Sequence, residues 1–195
     1  MMKGEGGEEN MVEGLALIDK SAKQGNKKAV ALLQKTAKKL FGEGKILEAA
    51  NLGHPKAGGI MSYNYAFGKG GFEIDMRKAY SFAKAAEPGG KLGQLMLGRC
   101  YEKGYRVAID YAKALTWYGR CEDVYSEASN IMGYIYDKGG HNVVVNLTKA
   151  VDFYRKAADK ESACGQSNLG YMYYKGEGVI QSFAEARKFF KMSAN

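Results

Sequence analysis

Three cysteines, two histidines and scattered carboxylates are the residues of this chain that could carry covalent or metal chemistry, and their spacing argues against both. A thiol nucleophile needs a base within hydrogen-bond reach. His54 and His141 lie in separate glycine-marked turns, and Cys100, Cys121 and Cys164 each have a packing explanation. Neither histidine has a second ligand at metal spacing, so no metal and no other cofactor is expected. Asp75 and Asp110 look like a catalytic pair until the chain is aligned on itself, when both fall at one helix-capping position. The Gly-x-Gly turns follow no strand and lead into no Gly-Lys-Ser/Thr, so they are not phosphate loops. These residues point to a protein without enzymatic activity.

The elements that position them are repeated. Small residues fall at Ser62, Gly98, Gly133 and Gly170, with steps of 36, 35 and 37. Tyr65, Tyr101, Tyr136 and Tyr173 follow with the same steps, then glycines at 68, 104, 139 and 176. A second set of columns begins at Asp75, Asp110, Asn146 and Ser182, four good N-cap residues, and continues to Ala79, Ala114, Ala150 and Ala186. An aromatic stands one turn beyond each alanine, at Phe82, Trp117, Phe153 and Phe189. A period of this length held across so many columns is the mark of a solenoid of helix pairs. The spacing predicts first helices over 56–67, 91–103, 126–138 and 162–175, and second helices over 76–87, 111–122, 147–159 and 183–193. Ser182 and Glu185 fit a reciprocal capping box. Phe72, Val107, Val143 and Val179, just before each cap, are expected to pin the loops to the core.

The pattern of Leu97-Gly98-x-x-Tyr101 with Asp110-x-x-Lys113-Ala114-x-x-Trp117-Tyr118, and of Leu169-Gly170-x-x-Tyr173 with Gly176-x-Gly178-Val179, resembles the Sel1-like repeat, a relative of the tetratricopeptide repeat. The resemblance covers residues 54–195 well. It implies an all-α, right-handed solenoid of antiparallel helix pairs, and adaptor or scaffold roles. Cysteine-rich members of that family staple the two helices of a repeat; here the position facing Cys164 holds Ala158, so that staple is absent. Free, buried thiols and a cytoplasmic location are expected.

Read this way, the chain is one array over 1–195: a half repeat (1–25), a shortened repeat (26–53) and four fuller repeats (54–89, 90–125, 126–161 and 162–195). Lys3-Gly4-Glu5-Gly6 and Asn10 align on Lys175-Gly176-Glu177-Gly178 and Ser182, so Asn10 is expected to cap a helix running from Met11 to Gln24. A first-type helix is expected over 26–41. No polar terminal helix covers the last apolar face, so the chain is expected to be either a piece of a longer array or one whose open ends self-associate, on another copy or on themselves.

In arrays of this kind the first helices line the concave side. The positions one and two after the small column are Tyr63, Asn64, Arg99, Tyr134 and Tyr171, with Met172 and Tyr174 beside them. Tyrosine and arginine dominate binding hot spots because they bring large contact area at low entropic cost. These seven residues are the expected contact surface for a protein or peptide segment. Lys103, Lys138 and Lys175, just before the helix-ending glycines, are read as offsetting the helix dipole.

The net charge of +8 is concentrated between Lys20 and Lys45, where Lys20, Lys23, Lys27, Lys28, Lys35, Lys38, Lys39 and Lys45 face one acid, Glu43. This stretch is the alternative binding surface, for nucleic acid or another anionic partner. No arginine or aromatic interleaves the lysines in the way nucleic-acid surfaces use them, so a solvated helix face is favoured and nucleic acid is not the expected partner. No run is apolar enough to span a membrane.

Overall fold

The first helix of each pair ends, in three of the four regular pairs, at a glycine in the left-handed conformation (Gly68, Gly104 and Gly176) that no other residue adopts without strain. The chain then turns and starts a second helix. The computed structural model describes residues 5–194, with side chains from residue 14 onward. Among the described residues the order is α1 (Glu5–Lys23), α2 (Lys27–Gly42), α3 (Ile46–Asn51), α4 (Pro55–Phe67), α5 (Met76–Ala85), α6 (Lys91–Lys103), α7 (Tyr111–Gly119), α8 (Ser126–Lys138), α9 (Leu147–Asp159), α10 (Ala163–Lys175) and α11 (Phe183–Ser193). An isolated bridge between Gly140 and Val143 is the sole extended pairing among them. Helices pack as α4–α5, α6–α7, α8–α9 and α10–α11, and α5, α7 and α9 each pack again on the first helix of the next pair. The fold is an α–α solenoid.

The capping column behaves as one device used four times. Asp75, Asp110, Asn146 and Ser182 each accept a hydrogen bond from a backbone N–H in the first turn of the helix they open. Each cap residue also donates its own N–H to the carbonyl of the tyrosine column: Asp75 to Tyr65 and Asp110 to Tyr101 at 2.9 Å, Asn146 to Tyr136 at 2.8 Å, Ser182 to Tyr173 at 3.0 Å. That bond ties the start of the second helix to the last turn of the first. It also overturns the reciprocal capping box. Glu185 cannot reach back to a Ser182 N–H that Tyr173 already occupies, and it pairs with Lys188 at 3.5 Å instead.

The rings of Tyr65, Tyr136 and Tyr173 stack on Phe82, Phe153 and Phe189 at 5.7–5.8 Å and within 6° of parallel. Lys78, Lys113 and Lys149 lie over Tyr65, Tyr101 and Tyr136, 5.0–5.5 Å from the ring centres. The tyrosine column therefore holds equivalent places along the chain. The alanine column, Ala79, Ala114, Ala150 and Ala186, is buried throughout, and Phe72, Val107, Val143 and Val179 are half-buried.

The small column explains how closely the helices approach. A Cβ added to Gly98 would sit 2.5 Å from the Tyr118 ring, one at Gly133 would sit 2.6 Å from Tyr154, and one at Gly170 would sit 3.0 Å from Phe190. In α4–α5 the equivalent positions are Ser62 and Ala83, where a larger first residue faces a smaller second one. The Ser62 hydroxyl donates to the Ala79 carbonyl at 2.7 Å, so this buried polar group is satisfied. The tyrosines reach past the glycines to a carboxylate: Tyr118 donates to Glu102 at 2.6 Å and Tyr154 to Asp137 at 3.4 Å. Burial, then the neighbouring carboxylate, holds both phenols well above the usual tyrosine range.

The amino-terminal part departs from expectation. α1 runs from Glu5 through Asn10 without a break, so Asn10 lies within a helix rather than at the start of one. Lys3 and Gly4, part of the turn alignment, lie outside the described residues. The shortened unit keeps α2, capped by Asn26 through Lys28 and Ala29, but its second helix is reduced to the six residues of α3. Ala49 and Ala50 still join the core that α4 and α5 share.

A candidate protein-interaction face

Residues four apart on a helix lie one above the other, and this places two columns on one stripe of the first helices. Tyr63 and Phe67 on α4 have ring centres 4.7 Å apart. Arg99 and Lys103 follow on α6, Tyr134 and Lys138 on α8, and Tyr171 and Lys175 on α10, the Lys175 ammonium lying 5.8 Å from the Tyr171 ring centre. Tyr63, Tyr134 and Tyr171 are 39%, 49% and 45% exposed. Side chains join the stripe from pair to pair: the Arg99 guanidinium lies 5.3 Å from the Phe67 ring centre and pairs with Glu127 on α8, and Asn168 on α10 donates to Asn130 on α8 at 2.9 Å. The result is a row of half-exposed aromatic rings and cations carried on well-packed helices. Such a row can hold another chain by ring contact, phenol hydrogen bonds and charge.

Of the seven residues expected to form the contact surface, the structure brings Tyr63, Arg99, Tyr134 and Tyr171 onto this stripe. Met172 is not on it: its side chain is 1% exposed and packs in the α9–α10 core with Leu169 and Val151. One position beyond the tyrosine the helix has turned inward, which spacing alone should have shown. Asn64 is half-buried over the turn that follows α4, its amide 3.3 Å from where a Cβ on Gly70 would lie. Tyr174 is exposed at the edge of the stripe, sharing Lys175 with Tyr171, and its ring is edge-on to Phe183 of the last pair at 5.7 Å. Phe67 was missed by the sequence reading, and its place four residues after Tyr63 was the available signal.

The lysine column does more than offset helix dipoles. Lys103 pairs with Glu102 at 2.7 Å and Lys138 with Asp137 at 2.9 Å, and the hydrogen bond to each carboxylate raises both lysines. Glu102 and Asp137 thus each bind a buried phenol on one side and an exposed ammonium on the other. Of the basic stretch, Lys23 pairs with Asp19, and Lys39 and Lys45 share Glu43, the other five lysines having no acidic partner among the described residues.

The thiols correct one expectation. All three cysteines are free, with Cys100 and Cys121 buried, but Cys164 is exposed on the first turn of α10. Burial pushes the buried thiols up to about 11 and about 12, which makes them inert at neutral pH. No group of three or more His, Cys, Asp or Glu is placed to hold a metal ion among the described residues. His54 opens α4, its Nδ1 accepting from the Ala57 N–H at 3.3 Å while the ring stacks on Phe41 at 4.2 Å. Its burial, then Lys56 and Lys38, lower its pKa. Among the described residues no helix is long and apolar enough to cross a membrane.

The Sel1 repeat model matches residues 1–26, 49–87, 91–120, 126–162 and 165–195. The chain belongs to the Sel1 repeat family. The matches leave out 27–48, the basic helix and the start of its shortened partner. Sel1 repeat proteins generally mediate protein–protein interactions. A curated relative, the ERAD-associated E3 ubiquitin-protein ligase component HRD3B of Arabidopsis thaliana, is 37% identical over 102 residues, which is 52% of this chain and 16% of that protein. Cytochrome c oxidase assembly factor 7A of Xenopus laevis is 29% identical over 132 residues, 63% of this chain and 56% of that protein. The chain therefore spans between a small part and about half of these relatives. Among solved structures, c5321, a protective antigen of uropathogenic Escherichia coli displaying an SLR fold, superposes with a TM-score of 0.68 at 31% identity, covering 91% of this chain and 40% of that one. A Sel1 repeat protein from Oxalobacter formigenes gives 0.63 at 27% identity, covering 92% and 54%.

Proposed function

We propose that this protein is a non-enzymatic interaction module which holds a segment of another protein along the stripe formed by Tyr63, Arg99, Tyr134 and Tyr171. The observation that carries the reading is the recurrence of half-exposed tyrosine or arginine at one position of four successive first helices, on backbones fixed by capping and close packing. A rigid row of such side chains loses little entropy when it captures a partner. The names of the relatives, a ligase component and an assembly factor, are consistent with an adaptor role. Residues 1–195 are read as a single array, and its three free cysteines suit a cytoplasmic setting.

The test is a Tyr134→Ala/Tyr171→Ala variant. Removing two of the stripe's three tyrosine rings should weaken binding of partners captured by the wild-type chain by about tenfold or more, with the circular-dichroism spectrum unchanged. Unchanged affinity for the same partners would remove the stripe from the binding surface.

A further inference from the structure

The last helix pair differs from α6–α7 and α8–α9 at two repeat positions, and both changes raise its positive charge. One residue after the buried alanines stand Tyr80, Leu115 and Val151, packed into cores that include residues of the following first helix. At the same position α11 carries Arg187, which is exposed. Four residues after the small column, α6 and α8 carry Glu102 and Asp137, each paired with the next lysine. α10 has Tyr174 there, so Lys175 keeps no acidic partner among the described residues and lies 5.7 Å from the Tyr174 ring centre. Arg187 and Lys191 likewise have none among them, whereas Lys188 is paired with Glu185. Beside these cations the rings of Tyr174, Phe183 and Phe190 form an apolar hollow floored by Ala186, with Phe183 62% and Phe190 39% exposed.

We propose that this face, which meets the first-helix stripe at Lys175, docks an acidic amphipathic helix of a partner protein. The shape argument comes from the chain itself, since the equivalent faces of α5, α7 and α9 each receive a helix. The charge argument comes from Arg187. A unit built like the inner ones would press apolar side chains on a guanidinium and leave it buried without a counter-charge, which is strongly unfavourable. A helix with a narrow apolar stripe in the aromatic hollow and carboxylates at its edges satisfies both sets of groups, because arginine pairs with carboxylates in two parallel hydrogen bonds.

The experiment uses the whole chain and a fluorescently labelled helical peptide of about 18 residues, long enough for stable turns, with leucines on one stripe and glutamates flanking it. A control peptide replaces the glutamates with glutamine. By anisotropy, the glutamate peptide should bind about tenfold or more tightly than the control. Arg187→Glu/Lys191→Glu should lose that advantage, whereas Lys27→Glu/Lys28→Glu at the other end of the molecule should keep it, as should Tyr63→Ala/Tyr134→Ala on the stripe. Equal binding of the two peptides, or equal loss in both charge-reversed variants, would overturn the proposal. So would sedimentation showing a wild-type self-assembly that Arg187→Glu/Lys191→Glu abolishes, because a second copy would then own the face.

Discussion

Helices α4 and α5 meet through Ser62 and Ala83; helices α6 and α7 meet through Gly98 and Tyr118. The two pairs share caps, tyrosine carbonyl bonds and a buried alanine, yet they divide the volume between the helices in opposite ways. Where the first helix gives up its Cβ, the second supplies a ring that is fully buried and reaches through to Glu102. Where the first helix keeps a Cβ and hydroxyl, the second recedes to alanine, and the hydroxyl bonds to the backbone. A repeat unit is thus defined by the sum of two positions rather than by either one. The exchange preserves close helix packing and the first-helix stripe.

The largest predicted effect breaks the glycine side of that exchange. Gly133→Ala puts a methyl group 2.6 Å from the Tyr154 ring, which is 2% exposed and cannot withdraw. Overpacking of this kind costs ~1–3 kcal/mol and outweighs the helix-propensity gain of ~1 kcal/mol. Gly119→Ala is the contrast: its nearest neighbour would be the Met132 methyl at 3.9 Å, so the same substitution should stabilise by ~0.4–1 kcal/mol. Denaturant midpoints should move in opposite directions.

Much of this was legible in the sequence because each column is local chemistry: a cap, a helix-ending glycine, a small residue beside an aromatic. The Gly98–Tyr118 and Ser62–Ala83 exchange was not, because it links two columns 20 or 21 residues apart that vary together. Counting from Gly170 puts Met172 beside Tyr171, but the turn of the helix carries it into the core. A turn alignment makes Asn10 a cap, although α1 continues through that position. The dual role of Glu102 and Asp137 needed the three-dimensional meeting of phenol, carboxylate and ammonium.

A smaller effect sharpens the contrast between caps. Hydrogen bonds from the Lys113 N–H and then from Asn142 hold the Asp110 carboxyl down to about 2, and Asp75 is lowered by its own first-turn N–H groups. An unfolded aspartate titrates at about 3.9, so both caps stabilise fully above that pH; the Asp110 cap loses its contribution as pH falls toward 2, and the Asp75 cap loses its own in the same direction. Asn146 and Ser182 carry no such charge. Hydrogen exchange at pH 2.5 against pH 7, corrected for intrinsic rates, should show α5 and α7 losing protection before α9 and α11. Asp110→Asn, which retains the cap, should remove most of that difference for α7.

The equivalence of pairs is tested most directly by remaking one in the image of another. In Gly98→Ser the side chain collides with Tyr118, and in Tyr118→Ala a cavity opens beside Gly98. In Gly98→Ser/Tyr118→Ala the clash is gone, and the new hydroxyl can bond to the Ala114 carbonyl as Ser62 does to Ala79. A double-mutant cycle by urea unfolding should find the double variant more stable than the sum of its singles by ~1 kcal/mol or more, within the range known for residues in contact. Additivity to within ~0.3–0.5 kcal/mol would mean that these positions do not exchange volume and that the helix pairs are not the same unit.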